Sequence, residues 1–229
     1  MSELVETLAE LACLPDGSAQ VQACLHRIVD LVTAVVEPVD SASITVSRSG
    51  QWVTLASSDA LALDLDAEQY TQADGPSLQA LDGEPVAVPE TGATDQWPQF
   101  RQKARSLGLY AALSVPLFAL RGVPLASLNL YARDPAAMRP LIAEVLALYD
   151  PPEQARSRGE ALPGGAGQLV QGLAAALEVN AEIQHALGML IGSRRIKADQ
   201  AYLVLQGIAE GERSSLHAAA RTLLERHEA

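Results

Sequence analysis

The sequence predicts an α+β domain, an antiparallel sheet with flanking helices, followed by an all-α unit of three helices whose first member is coiled-coil-like. Three observations predict this. Short alternating segments are joined by turn signals and not by helical crossovers, which makes their sheet antiparallel. Apolar residues beyond Gln168 recur at steps of four and three, the spacing of a heptad seam. Between these patterns lies a break that opens with Asp150-Pro151-Pro152 and closes with Pro163-Gly164-Gly165-Ala166-Gly167. Proline blocks a helix and restricts the residue before it. The expected division is therefore 1–150, a linker over 151–167, and 168–229.

Each element has its own signal. Glu3 to Cys13 and Ala19 to Val36 have helical spacing, with Leu25, Ile28, Val29 and Val32 on one face. Ile44 and Val46 alternate with polar residues, as do Val53 and Leu55, and Ser49-Gly50 between them marks a hairpin turn. Asp59 is placed to cap a helix reaching about Tyr70. Gly75-Pro76-Ser77 starts a short helix with proline in its first turn. Val86 and Val88 make a third strand, and Trp97 to Leu107 is helical. Leu113 to Phe118 and Leu125 to Tyr131 form a second strand pair around Arg121-Gly122, and Asp134-Pro135 opens a helix to Tyr149.

Composition narrows the class of protein. Hydrophobic residues make up 48% and charged residues 19% of 229, a globular balance. No apolar run approaches the ~18 residues that span a bilayer. The start, Met1-Ser-Glu-Leu-Val-Glu, lacks the basic opening of a signal peptide, so a cytoplasmic location without membrane contact is expected. Cys13 and Cys24 are too few for a stapled scaffold and read as small apolar residues of the first helices. Residues 1–150 hold 8 basic and 19 acidic side chains, net −11, whereas 151–229 hold 8 and 9, net −1. The first part repels polyanions, so nucleic-acid contact is expected only from the second.

An ordered set of words in the first part resembles a GAF domain. They are Asp40-Ser-Ala-Ser-Ile-Thr-Val, the stretch 74–86 from Asp74-Gly-Pro-Ser-Leu to Glu84-Pro-Val, then Asp95-Gln-Trp-Pro-Gln-Phe, Ser114-Val-Pro-Leu and Leu128-Asn-Leu-Tyr. The resemblance covers about residues 18–148 and implies a small-molecule sensor, with an unidentified ligand as partner. The four histidines, His26, His185, His217 and His227, lie outside 27–184, and so do both cysteines. No metal or cofactor is expected there. Asp74, Asp95 and Trp97 are the candidate ligand-binding residues; alternatively Asp95 caps the next helix and Trp97 packs in the core.

In the second part the seam is Leu169, Leu173, Ala176, Asn180, Ile183, Leu187 and Leu190. A lone Asn180 among apolar neighbours suits a parallel pair of helices from two copies, with Leu173, Asn180, Ile183 and Leu187 at the dimer seam; the same stripe also suits packing on its own chain. A second helix runs from about Ala198 to Ala209, and a third follows a Ser214 or Ser215 cap. Ile183, Ala186, Gly188, Leu190, Arg194, Ala201, Tyr202, Leu205, Ala209, Leu216 and Ala220 together resemble an ANTAR domain over about 168–227. With the first resemblance, the chain looks like a GAF–ANTAR transcription antiterminator, which implies binding of paired stem-loops in a leader transcript. The sequence departs from that family at Leu187, where lysine is usual, and at Ser214 and Ser215, where basic residues are frequent. Each lost lysine weakens phosphate contact. The RNA-binding candidates are Arg194, Arg195 and Lys197 at the first helix turn, with His185, Arg213 and Arg221, and with Ala186 and Gly188 as points of close approach. Tyr202 reads as a core residue or as a base-stacking one. The alternative function is a divergent module that has lost RNA and serves ligand-dependent dimerisation or protein contact. No nucleophile–base pair, metal spacing or phosphate loop points to an enzyme.

Overall fold

The computed structural model describes residues 2–15, 18–93, 95–119, 122–150 and 162–228. Helices α1 (Glu3–Cys13) and α2 (Ala19–Val35) open the chain, each capped by a serine hydroxyl, Ser2 and Ser18, that accepts a first-turn amide. Strands β1 (Ser41–Arg48) and β2 (Gln51–Ser57) form the expected hairpin through Ser49 and Gly50, both at positive φ. Helix α3 (Ala60–Gln72) starts where Asp59 accepts the Ala62 amide at 3.0 Å, and α4 (Pro76–Ala80) follows Gly75. Then come β3 (Val86–Val88), α5 (Pro98–Ser106), β4 (Ala111–Phe118), β5 (Pro124–Ala132) and α6 (Pro135–Tyr149), the last capped by Asp134.

The five strands form one antiparallel sheet in the order β2-β1-β5-β4-β3. One face carries Ala42, Ile44 and Val46 of β1 with Ala126, Leu128 and Leu130 of β5, and it packs with α1, α2 and α6 into the main core. The opposite face carries Ser41, Ser43, Thr45, Ser114, Ser127, Asn129 and Tyr131. Alternation with apolar residues would place such a row in water. Each of these residues is at most 1% exposed, because α3 and α4 lie over them.

Beyond Pro163 the chain is helical: α7 (Gly164–Arg194), α8 (Ala198–Glu212) and α9 (Leu216–Glu228). The expected linker residues 151–161 lie outside the described residues, while 164–167 already belong to α7. The expected boundary at 168 is therefore not a boundary in packing. Leu169 and Leu173 sit inside the main core with Leu4, Leu8 and Leu11 of α1. Two glycines make the approach close enough. A Cβ on Gly165 would lie 1.6 Å from the Val35 carbonyl oxygen, and one on Gly172 would lie 2.6 Å from a methyl carbon of Leu8. Farther along α7, Val179, Ile183, Ala186, Leu187 and Leu190 make a second core with α8, α9 and Ala12 of α1. Among the described residues no helix is long and apolar enough to cross a membrane.

Candidate functional site

The stripe expected between two copies is occupied by the chain itself. Leu173 meets α1, while Ile183 and Leu187 belong to the three-helix core. Asn180 is 9% exposed and donates its side-chain amide to the Ala119 carbonyl at 3.0 Å, just past the end of β4. A heptad stripe needs an apolar partner, and α1, the β4–β5 end and α9 supply one in cis. These four side chains are thus unavailable for a helix pair in this arrangement. Beside Asn180, Gly122 of the β4–β5 turn backs onto Gln184, and His217 of α9 bonds Glu182 of α7.

The basic cluster stands at the end of this helix. Arg194 ends α7, Arg195 turns the chain in the left-handed region (φ 53°, ψ 42°), and Lys197 caps α8 with its backbone amide donating to Gln200 Oε1 at 3.2 Å. All three side chains are exposed. Among the described residues no carboxylate pairs with any of them, and the ion pairs of the C-terminal unit lie elsewhere, at His217–Glu182, Arg221–Glu225 and Arg226–Glu212. Helix geometry leads from Arg195 back to Gly192, Gly188 and His185, which recur at steps of three and four on one exposed side of α7. Nothing lies within 4 Å of where a Cβ on Gly188 or Gly192 would sit. Gly192 was not singled out in the sequence; the exposed three-and-four spacing from His185 was the available signal.

The other candidates spread out. Ala186 is fully buried and cannot be a contact point, because it faces α8 and α9. Leu187, where the resemblance implies a lysine, is 8% exposed and serves the core. Tyr202 is half-buried against the same core. Arg213 caps the far end of α8, about 24 Å along the helix from Lys197. Arg221 is exposed on α9 and reaches Glu225 at 3.8 Å. The structure therefore assembles one compact cationic turn and leaves Arg213 apart from it.

In the N-terminal unit, Asp74 and Trp97 line a surface cleft of about 180 Å³ with Gln72, Pro98, Gln99 and Phe100. Trp97 precedes α5 in the left-handed region (φ 48°), uncommon for a bulky side chain, and packs against a small cluster containing Phe100, Leu65 and Tyr131. Asp95 neither lines the cleft nor caps α5; it projects into solvent 4.0 Å from Arg101. Among the described residues no group of acidic, histidine or cysteine side chains could hold a metal. Burial pushes the Cys24 thiol up to about 11, so it stays protonated and unreactive at neutral pH.

A family model for the ANTAR domain matches residues 171–224, the seam, the cationic turn and both helices that follow. Residues 171–224 are an ANTAR domain. Such a domain is generally an RNA-binding antitermination module, a regulatory part and not a catalytic one. None of the curated proteins matches the chain. Several solved structures have a loosely similar course. A domain from a Sinorhizobium meliloti protein named as a two-component sensor histidine kinase aligns at 14% identity over 79% of this chain and 100% of that one, TM-score 0.44. The GAF domain of a Coxiella burnetii phosphoenolpyruvate-protein phosphotransferase aligns at 14% identity over 82% and 94%, TM-score 0.43. The GAF domain of A. aeolicus nlh2 in an inactive state aligns at 10% identity over 63% and 88%, TM-score 0.42. The ANTAR match starts seven residues into α7, so the first two turns of that helix belong to the N-terminal unit by packing and precede the domain by sequence.

Proposed function

We propose that the protein is an RNA-binding regulator of transcription antitermination, acting in the cytoplasm, whose N-terminal unit is a GAF-type sensor of a small molecule and whose ANTAR domain grips leader-transcript stem-loops. The observation that carries this reading is the exposed turn Arg194–Lys197, where three cations stand without a carboxylate partner among the described residues. Arginine pairs with phosphate through a planar fork and stacks on splayed bases, both suited to folded RNA. The net −11 of residues 1–150 confines the approach of RNA to this end. The open side of α7 at Gly188 and Gly192 adjoins the turn and lets a backbone come close. Paired stem-loops call for two copies, and the second copy must meet a surface other than Leu173, Asn180, Ile183 and Leu187.

A gel shift with tandem stem-loop RNA over a salt series tests the reading. Expected is binding at low salt that falls linearly on logarithmic axes as counterions compete. No binding at low salt would sink it. The runner-up, a ligand-dependent dimerisation or protein-interaction module, is favoured by Leu187, a buried residue where the resemblance implies a phosphate-binding lysine. It requires a protein partner that stays bound at high salt with no RNA retained.

A further inference from the structure

The buried polar face of the sheet holds a carboxylate with no cation. Asp66 of α3 is 0% exposed. Tyr131 donates to its Oδ1 at 2.8 Å and Thr54 to its Oδ2 at 2.8 Å. Ser43 of β1 lies beside it. Every partner is a neutral hydroxyl, able to donate or accept, so the network is satisfied whether the acid is charged or neutral. What differs between the two forms is the charge left in a dry seam. The titratable groups facing it are Tyr131 from β5 and Tyr70 from its own helix, both pushed upward and both neutral at physiological pH. Strands β1 and β2 present Ser43, Thr45 and Thr54, and α4 presents Ser77, held by Gln69. On α5 Lys103 is turned to Asp64 at 3.4 Å and Arg101 to Asp95 at 4.0 Å.

We propose that Asp66 is a proton-binding switch in the N-terminal unit: its neutral acid clamps α3 against the sheet, and its ionised form loosens that cover. The proposal is independent of RNA binding. Desolvation raises the acid to about 6 in spite of the Thr54 and Tyr131 bonds that oppose it. The sign follows from linkage. Between the ordinary carboxylate value and about 6 the folded form holds a proton that the open form releases. Closure is therefore strongest at acid pH and is lost as pH rises through about 6. The full shift corresponds to an opening constant larger by on the order of 100-fold above pH 7 than below pH 4.

The test is native-state hydrogen exchange of the full chain at pH 5 and pH 7.5, corrected for intrinsic rates, with α2 amides as the internal reference. Expected is a protection of α3 amides, relative to α2, that falls about tenfold at the higher pH and becomes pH-independent in Asp66→Asn. A relative protection that does not change with pH in the natural chain, or a change that persists in Asp66→Asn, overturns the switch. If that variant does not fold, the carboxyl carbon resonance of Asp66 in the natural chain decides. A midpoint near 6 supports the proposal, and full ionisation at pH 5 overturns it.

Discussion

The two halves of α7 carry one continuous apolar spacing and meet different surroundings. The first half, with Leu169 and Leu173, is a core helix of the N-terminal unit, drawn in by Gly165 and Gly172. The second half, with Ile183, Leu187 and Leu190, is the central helix of the ANTAR core, and its open side carries Gly188 and Gly192 with nothing against them. Between the halves stands Asn180, bonded to the end of β4. The difference teaches that glycine in one helix serves two purposes: in the first half it admits a neighbour already present, and in the second it leaves a surface bare. One unbroken helix runs from the first core into the second.

Four variants test this contrast. The largest effect is expected from Arg194, Arg195 and Lys197 changed together to glutamine. RNA affinity should fall by about 100-fold at low salt, and the logarithmic salt slope should shrink by about one for each phosphate contact removed. Stability should move by less than about 0.5 kcal/mol, since the side chains are exposed and unpaired; titration of labelled RNA and urea unfolding measure the two. Next is Gly165→Ala, whose methyl has no room beside Val35. A loss of about 3 kcal/mol in urea unfolding is expected, and an unchanged midpoint would show that the first half does not dock as described.

Asn180→Ala comes third. It leaves the buried Ala119 carbonyl unpaired and should cost about 2 kcal/mol, with faster hydrogen exchange at the start of β5 and the middle of α7. If only α7 responds, the bond does not join the two units. The smallest effect is a gain. Gly188→Ala fills open space in an exposed helix interior and should add about 1 kcal/mol, read as a raised thermal midpoint. The same variant should bind stem-loop RNA several-fold more weakly if a backbone approaches that side of α7. Equal affinity would separate the bare surface from RNA contact.

Much of this was legible beforehand. Asp59, Asp134, Pro76 and Ser49-Gly50 act through bonds to residues only a few positions away, so their capping and turning follow from local chemistry. The Asp95 reading failed because Trp97 takes a left-handed conformation and starts α5 without a side-chain cap. The cationic turn was legible as well, since charge and position in the chain suffice to place it. The buried row of Ser43, Thr45, Ser127 and Asn129 was not. Alternation marks two faces of a strand, but it cannot say that α3 will cover the polar one.

By itself the sequence determined the elements, their antiparallel pairing class, the change of pattern beyond residue 150 and the charge contrast between the two parts. Periodicity, caps and charge are properties of neighbouring residues, and they need no knowledge of what lies across the core. Only the tertiary structure decided that the seam of α7 closes on its own chain, that Ala186 and Leu187 point inward, and that Asp66 is sealed without a cation. Hydrophobic burial carries no label for its partner. The choice between a second copy, α1 and α9 is made by close packing and by polar bonds such as that of Asn180, which join residues far apart in the chain.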